Sequence, residues 1–483
     1  MVCKMANKKY FDVVIAGAGT AGLTASYLLA SKGLDVALID RRRKDDIGDK
    51  ICGDAIAAHH FNSTGLPKPS DGVVRAYVEG IKIYPRDMRY SLAVSTTDGG
   101  YVVDRHGWGQ ELLSYALEKG VTLFSNTIIQ DLIVEDGYAK GVKVFNRDSS
   151  ERFDILGKVT VDATGYSSIL IRKAPESWGI EKEIIDRDII NAYREVVKLN
   201  KRFEDIDYVH LHFISEYAPT GYVWLFPWDR DGYMLNIGNG VMPHRDIPKP
   251  HILMERYIYE VLPDLLKDRV VIKKGTWNIP NRRPRHIFVG NGFAAVGDSA
   301  IMIDPATAEG IGYGLYGAYL LSKHVLQAVE AGDYSQDMLW RYQYEYMTSP
   351  YGLRQARLDV FRHLMQAYSD KDYEFVIKHG ILTGNDVSKA RDEDDIINMF
   401  DKALRVFKSV LYGKVSIVKD LDYTLKMMKV VKSLYLNYPE NREGIEEWSK
   451  KVDMIFSTLR NRFKPYIPNG LVDRTEKAIQ RVG

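Results

Sequence analysis

VVIAGAGTAG at residues 13–22 is an apolar strand that leads directly into a G-x-G-x-x-G turn made by Gly17, Gly19 and Gly22. In such a turn the first glycine permits a tight bend, the second lets the backbone approach a pyrophosphate, and the third lets the next helix pack closely. A predicted helix, TASYLLASKG, follows, and then a second apolar strand, DVALID, which ends at Asp40. This is about where a ribose-binding carboxylate is expected. The sequence therefore predicts a βαβ unit that binds a dinucleotide.

Composition limits the remaining possibilities. The chain has 483 residues, 45% of them hydrophobic and 27% charged, and a formal net charge of +2. This length predicts two or three cores, and the small net charge gives no electrostatic reason to expect a nucleic-acid partner. Two cysteines, Cys3 and Cys52, are too few for a disulfide framework or a multi-cysteine metal site, so we predict no metal and a reducing, cytoplasmic location. We expect no signal peptide and no membrane span.

The rest of the chain divides into three regions. YVVDRHGWGQELLSYALEKG at 101–120 predicts a helix, the alternating segment after it predicts a β-meander, and DILGKVTVDATG predicts a second strand on the nucleotide side. HLHFI, GYVWLFP and GYMLNIGNG predict a β-rich region, and the sequence from residue 334 has a helical period. We predict an α/β fold with a discontinuous Rossmann-like domain (1–187 and 291–333), a β-sheet substrate domain (188–290) and a helical C-terminal domain (334–483).

Gly297-Asp298-Ser299 favours a flavin over a nicotinamide. These residues end an apolar strand and lead into a long helix, and a nicotinamide enzyme needs no second dinucleotide-binding strand so late in the chain. A carboxylate there can accept hydrogen bonds from ribityl hydroxyls, and the helix N-terminus can stabilise negative charge on a reduced isoalloxazine. The alternative for Asp298 is a helix N-cap without a ligand. Together with GAGTAG and DATG, it predicts FAD as the cofactor.

These three separated pieces resemble the FAD-binding fold of the aromatic hydroxylases. Arg105, in VVDR before a helix, sits where members of that group place an arginine near the pyrophosphate. GDKICGDA at 48–55, YVWLFP at 222–227 and GDSAIMIDP at 297–305 more narrowly resemble the geranylgeranyl reductase family, particularly its archaeal members, the digeranylgeranylglycerophospholipid reductases. LYLNYP at 434–439 extends the resemblance over nearly the whole chain.

The resemblance implies a function and a set of site residues. The family activity is FAD-dependent saturation of isolated double bonds in geranylgeranyl chains, chiefly those of archaeal ether lipids or their precursors. In addition to the three glycines of the turn, the residues expected to contact FAD are Ala21, Asp40, Cys52, Gly53, Ala55, Arg105, Ile129, Asp298, Gly310 and Ile311.

Cys52 is the candidate catalytic residue. An isolated alkene has no carbonyl to stabilise a carbanion, so hydride delivery must be matched by proton delivery on an apolar, water-poor surface. In the family this cysteine lies beside the flavin, so its thiol, or a water that it holds, could donate the proton, or the thiol could tune the flavin. The alternative is a small buried side chain that only fills space.

The segment YVWLFP supplies the candidate substrate surface. Tyr222, Trp224 and Phe226 share one face of a predicted strand, while Val223 and Leu225 face the other way. Aromatic planes bind a flexible isoprenoid by area without requiring hydrogen bonds. The alternative is that the aromatic residues only form a core. The segment also partly resembles the W-x-W-x-I-P signature of flavin-dependent halogenases, but the tyrosine in first place counts against halogenation.

Ala308 and Glu309 depart from the family pattern, since relatives commonly carry two glycines there. The Glu309 carboxylate could disturb flavin binding, restrict access or donate a proton, and the sequence leaves all three open. The departure makes the prenyl side chain of a quinone an alternative substrate. Two further alternatives share the same motifs: a flavin monooxygenase, and a prenyl-binding escort protein without redox activity. The electron donor, a ferredoxin or a nicotinamide, is also left open.

Two basic clusters remain. We interpret Arg282, Arg283 and Arg285 as a surface cluster, with phosphate recognition as the alternative. The helical C-terminal part carries a series of cations that predicts a solvated helical face, or else peripheral contact with anionic lipid at the inner face of the membrane. These cations are Lys402, Arg405, Lys408, Lys414, Lys419, Lys426, Lys429 and Lys432.

Overall fold

Two eight-stranded sheets and a helical C-terminal region make up the computed structural model, which describes residues 8–392, 405, 408–409 and 411–482. The first sheet consists of β1 (Lys8–Ala16), β2 (Val36–Ile39), β6 (Thr122–Phe124), β7 (Thr127–Glu135), β8 (Tyr138–Asn146), β9 (Glu151–Asp162), β15 (Val289–Gly290) and β16 (Phe293–Ala295). Its strand order is β15-β16-β9-β1-β2-β6, with β8 pairing β9 and β7 pairing β8. Strands β16, β9, β1, β2 and β6 are parallel.

The first sheet confirms the predicted Rossmann-like frame. Residues 13–16 and 36–39 are fully buried, as expected of parallel strands covered on both faces. The late strand β16 pairs in parallel with β9, which places the segment near residue 297 beside the first βαβ unit. The predicted meander is confirmed as β7, β8 and β9.

The second sheet draws on more of the chain than predicted. Its strands are β3 (Ala55–Ala57), β4 (Val74–Tyr84), β5 (Leu92–Val103), β10 (Ile189–Lys198), β11 (Tyr208–His212), β12 (Tyr222–Pro227), β13 (Met234–Val241) and β14 (Val270–Pro280). The order is β14-β10-β13-β12-β11-β4-β5-β3. Residues 55–103, which we assigned to the first domain, therefore add three strands to this sheet, because β4 pairs in parallel with β11. The division into three domains stays a prediction.

Helices pack on both sheets and form the C-terminal region. They are α1 (Thr20–Ala30), α2 (His59–Thr64), α3 (Arg105–Glu118), α4 (Pro250–Glu260), α5 (Pro263–Leu266), α6 (Ile311–Ala331), α7 (Gln336–Thr348), α8 (Pro350–Ala367), α9 (Asp370–Lys378), α10 (Gly384–Asp392), α11 (Val415–Leu436), α12 (Ile445–Arg462) and α13 (Leu471–Val482). The predicted helix at 101–120 begins only at Arg105, because Tyr101–Val103 end β5 and the Asp104 side chain caps α3. Within the described residues, no helix has both the length and the apolar character needed to cross a bilayer.

The arginines at 282–285 are buried, so their interpretation as a surface cluster is wrong. Arg283 lies 3.4 Å from Asp359 on α8 and 3.1 Å from Asp453 on α12, and Arg285 donates to the Ser299 carbonyl at 2.9 Å. Arg282 pairs with Glu181. The three arginines indicated positive charge in the sequence. They did not indicate the carboxylates that neutralise this charge, because those carboxylates come from distant segments.

The basic C-terminal series is partly neutralised within the protein. Arg405 is buried and lies 3.0 Å from Asp386, and Lys414 lies 2.9 Å from Asp372. Lys402 lies outside the described residues. Lys408 donates to the His379 carbonyl at 2.9 Å, and Lys426 lies 2.7 Å from Asp422 on the same helix. Within the described residues, the predicted basic face is therefore interrupted by internal pairs.

Candidate functional site

A cavity of about 410 Å³ lies where the first βαβ unit meets the second sheet. The glycine turn before α1, the loop 48–55, the strand β12 and the N-terminus of α6 all contribute to its wall. Its volume is in the range of small-molecule and cofactor sites.

The glycine turn has the shape that a pyrophosphate needs. Gly17 has a φ of +107°, and a Cβ there would lie 2.4 Å from the Ala163 carbonyl oxygen. A Cβ at Gly22 would lie 1.9 Å from the Gly17 carbonyl, whereas a Cβ at Gly19 would meet nothing within 4 Å. Gly19 is also the N-cap residue of α1, whose N-terminus has no side-chain cap and no acidic residue in its first turn. Open space in front of free N–H groups suits an anion.

Two charged side chains complete this half of the cavity. Asp40 accepts the Ala18 and Arg42 N–H groups at 2.8 Å, one on each oxygen, and each oxygen keeps a lone pair for a ribose hydroxyl. Arg105 is buried and donates to Thr20 Oγ1 at 2.7 Å. Its Nε and Nη1 are buried and have no hydrogen-bond partner among the described residues, as expected of a guanidinium prepared for a phosphate.

Asp298 lies beside the start of α1, since a Cβ at the preceding Gly297 would stand 3.0 Å from Ala21 Cβ. Its carboxylate lies 3.1 Å from Lys50 Nζ and faces Gly310, where a Cβ would stand 3.3 Å from Asp298 Oδ1. Lys50 belongs to the segment GDKICGDA, but nothing in the sequence indicated that it pairs with a residue 248 positions away.

These residues fit FAD. All of the predicted cofactor and substrate residues line the cavity except Gly22, which packs α1 against the turn, as the third glycine of the motif is expected to do. The lining set comprises Gly17, Gly19, Ala21, Asp40, Cys52, Gly53, Ala55, Arg105, Ile129, Tyr222, Trp224, Phe226, Asp298, Gly310 and Ile311.

Asp54 follows the candidate catalytic cysteine and was missed by sequence reasoning. Its φ is +70°, its side chain is buried, and it lies 3.4 Å from Arg194 Nη2 and 2.7 Å from Asn236 Nδ2. Arg194 and Asn236 also donate to the Cys52 carbonyl, at 3.2 and 2.9 Å. Burial raises the pKa of Asp54 to about 6 in spite of the arginine. The loop with Cys52 is therefore fixed to β10 and β13 by a buried polar network.

Cys52 lines the cavity as a free thiol. Burial raises its pKa, and the charge of Asp54 raises it further, against a smaller opposite effect of Arg105. The side chain is therefore a protonated thiol at neutral pH. Its neighbour Gly53 lies against the aromatic strand, because a Cβ at Gly53 would stand 2.6 Å from Phe226 Cε2.

The strand β12 presents the predicted aromatic face to the cavity. Tyr222, Trp224 and Phe226 line it, while Val223 and Leu225 are fully buried on the opposite face. The Trp224 indole donates to Asn236 Oδ1 at 2.9 Å, and the Tyr222 hydroxyl donates to the Thr307 carbonyl. The aromatic face is thus connected both to the Cys52 loop and to the segment before α6.

Glu309 points into the cavity from that segment. Its Oε1 accepts the Gly312 N–H at 2.6 Å, and its Oε2 lies 3.5 Å from His60 Nε2. Burial opposes ionisation of the carboxyl, but His60 and the N–H group outweigh it, and the pKa of Glu309 lies below its ordinary value. The carboxylate therefore caps α6 and contacts a histidine of α2.

The fold and this site define an FAD-dependent oxidoreductase. Residues 12–206 match the family model of FAD-dependent oxidoreductases, and residues 188–277 match the model of the geranylgeranyl reductase catalytic domain. The digeranylgeranylglycerophospholipid reductase of Sulfolobus acidocaldarius is 34% identical over 449 residues, which are 92% of this chain and 97% of the relative. The chain belongs to the geranylgeranyl reductase family, which confirms the resemblance and the FAD prediction.

Two solved structures show the shared fold. A geranylgeranyl bacteriochlorophyll reductase-like protein from Thermoplasma acidophilum superposes with a TM-score of 0.71 at 22% identity, covering 86% of this chain and all of its own. A flavin-dependent brominase superposes with a TM-score of 0.62 at 17% identity, covering 92% of this chain and all of its own.

Proposed function

We propose that this protein saturates isolated C=C bonds in the geranylgeranyl chains of archaeal ether lipids or their precursors. One observation carries the proposal: the aromatic face of β12 and the Cys52 loop line the same cavity as the dinucleotide-binding turn. The curated relative with 34% identity is named for this activity. FAD, when bound, supplies the hydride.

The chain's own residues bind the prenyl group and exclude water. Tyr222, Trp224 and Phe226 offer aromatic area in contact with the cavity, and such contacts stabilise a hydrocarbon in proportion to the area buried. None of these contacts fixes a particular isoprene unit, since they require no hydrogen bond from the substrate. The prenyl chain can therefore move so that successive double bonds reach the same position.

The proton for the second carbon comes, in this proposal, from the Cys52 side of the cavity. The raised pKa of Cys52 keeps a proton on sulfur at neutral pH, and the Asp54 network keeps the loop beside Phe226. A thiol held in this way is a proton donor on a surface with little water.

We propose that the lipid reaches the cavity from the inner face of the membrane, where the protein makes peripheral contact. The exposed side chains of Leu411, Tyr412 and Val415 lie near the start of α11, followed by the exposed Lys419. Apolar groups next to cations suit an anionic lipid surface. Co-sedimentation with anionic vesicles at low salt supports this contact, and an absence of binding refutes it.

The test of the activity is anaerobic. Protein reduced with dithionite is mixed with a geranylgeranylated glycerophospholipid, and the lipid is examined by mass spectrometry. Addition of one H₂ per double bond supports the proposal. A prenylated quinone run in parallel distinguishes the head groups, and ferredoxin and NADPH replace dithionite in turn to identify the electron donor. Protein that leaves every prenyl compound unchanged, but hydroxylates an aromatic substrate with O₂, is a monooxygenase.

A further inference from the structure

A polar chain leads from the cavity toward the protein surface. It consists of Glu309, His60, Tyr351 and Ser63. At its inner end Glu309 lines the cavity, with one carboxylate oxygen 3.5 Å from His60 Nε2. This distance is at the outer limit of a hydrogen bond, and catalytic contacts are often long before substrate binds.

The middle of the chain is buried and hydrogen-bonded. His60 Nδ1 lies 2.8 Å from the Tyr351 hydroxyl, so the two ring nitrogens of one histidine face Glu309 on one side and Tyr351 on the other. The imidazole can therefore accept a proton at one nitrogen and release one from the other. Burial raises the pKa of Tyr351 to about 12, so its hydroxyl passes protons without ionising.

The outer end reaches solvent. The side chain of Ser63, one turn after His60 on α2, is exposed and donates to the His59 carbonyl at 2.9 Å, and its hydroxyl acts against the rise in the pKa of Tyr351, as a donor near the phenol oxygen does. Every member of the polar chain carries a group that both accepts and donates protons in one of its protonation states.

The surrounding structure holds this chain in position. A Cβ at Gly312 would lie 2.2 Å from the His60 ring, so the glycine leaves the space that the imidazole occupies. The Tyr351 ring stacks on Tyr316 at 4.0 Å between centroids with a 9° angle between planes. The Tyr222 hydroxyl, on the aromatic strand, donates to the carbonyl of Thr307, two residues before Glu309.

We propose that Glu309, His60, Tyr351 and Ser63 form a proton relay that carries protons from solvent to the prenyl cavity. The proposal rests on the reductase function and gives Glu309 a role that the sequence left open. Reducing one double bond breaks its π bond and forms two C–H bonds. One hydrogen comes from reduced FAD as a hydride with both electrons, and FAD is oxidised by this loss. The other hydrogen arrives as a proton.

The relay replaces that proton. After each reduction the group that protonated the carbon lacks one proton, and a largely apolar cavity filled by a prenyl chain has little water to return it. Tyr351 passes a proton from the Ser63 side to His60, His60 transfers one to the Glu309 carboxylate, and the transiently protonated Glu309 delivers it to the group in the cavity that lacks a proton. Repeated reduction along one bound chain then needs no exchange of bulk water with the cavity.

The test follows successive reductions of a geranylgeranylated lipid, with excess dithionite to re-reduce the flavin after each one, in H₂O and in D₂O. In Tyr351→Phe the ring and its stacking remain but the relay is broken. We expect the first reduction to keep its wild-type rate and the later ones to slow by about tenfold or more, with a larger solvent isotope effect on the later ones. Added imidazole, a small proton carrier, should restore part of the rate. Glu309→Gln should behave in the same way.

Tyr316→Phe is the matched control, because its ring stacks on Tyr351 while its hydroxyl lies outside the relay, and its rate should stay near the wild-type value. A Tyr351→Phe protein whose later reductions keep the wild-type rate and isotope effect overturns the relay. Equal losses in both tyrosine variants without rescue by imidazole also overturn it, since they indicate packing. Wild-type protein that reduces no prenyl chain refutes the proposed function itself.

An infrared titration of the Glu309 carboxyl needs no turnover. His60→Gln removes the group that holds the pKa of Glu309 low, so the carboxyl band should titrate at higher pH than in the wild type. An unchanged titration contradicts the coupling of the two residues.

Discussion

Replacing Asp54 by Asn tests the buried network behind Cys52. Asn is nearly isosteric with Asp and tolerates the φ of +70° at this position. It can still accept the Asn236 amide, and Arg194 keeps its hydrogen bonds to the Lys50 and Cys52 carbonyls. The substitution therefore removes a buried ionisable group with little change in shape.

The expected magnitude follows from the pKa of Asp54, which burial raises from 3.8 to about 6. This difference corresponds to about 3 kcal/mol. Below about pH 4 the carboxyl is protonated in both folded and unfolded chains and contributes no pH dependence. Between about pH 4 and 6 the unfolded chain ionises first, so wild-type stability falls as the pH rises. Above this range both forms are ionised, and the loss is complete.

Urea unfolding of both proteins at pH values from 4 to 7.5 measures this effect. The stability of the wild type relative to Asp54→Asn should fall by about 2 kcal/mol across the series, since at pH 4 the unfolded carboxyl is already partly ionised. Any cost of leaving Arg194 without its carboxylate is the same at every pH and does not enter this difference. Asp186→Asn, at an exposed carboxylate, is the control. Parallel pH profiles of wild type and Asp54→Asn would refute the raised pKa.

Three further outcomes are expected. Arg105→Met should weaken FAD binding about 10- to 150-fold, because hydrogen bonds to a charged group contribute about 1.5–3 kcal/mol. Flavin fluorescence titration of the apoprotein measures the Kd. An unchanged Kd contradicts the role of Nε and Nη1, the two guanidinium nitrogens without a hydrogen-bond partner among the described residues. Asp54→Asn should lower the pKa of Cys52, so that iodoacetamide alkylates the thiol at lower pH than in the wild type, and an unshifted alkylation profile counts against the charge effect. Gly53→Ala should displace the Phe226 ring and raise KM for the prenyl substrate in steady-state assays, because the new Cβ would lie 2.6 Å from that ring; an unchanged KM contradicts the placement of the ring in the substrate surface.

The parts of the fold that sequence predicted are those with local signals. The glycine turn, the apolar strands around it and the alternation of YVWLFP each depend on a few neighbouring residues, and the structure contains all of them. Pairing of β4 with β11 joins segments more than a hundred residues apart, and no local pattern specifies it. The sheet membership of residues 55–103 was therefore missed.

The site shows the same limit. Cys52 and the aromatic face were predicted from short motifs. Asp54 lies in the same motif as Cys52, but the sequence indicated no role for its side chain. Its partners Arg194 and Asn236 come from β10 and β13, and its raised pKa is a property of their shared burial. The low pKa of Glu309 likewise depends on His60, which is nearly 250 residues away in sequence. Charge environments of this kind arise only when distant strands and helices meet.

The most direct test of the central claim is the stoichiometry of flavin oxidation. Protein reduced anaerobically with one equivalent of dithionite per flavin is mixed with excess geranylgeranylated glycerophospholipid, while flavin absorbance and lipid mass are followed in the same sample. If the protein is a prenyl reductase, one flavin is reoxidised for each double bond lost, and the fully saturated lipid reoxidises none. Flavin that stays reduced while the lipid stays unsaturated would contradict this claim.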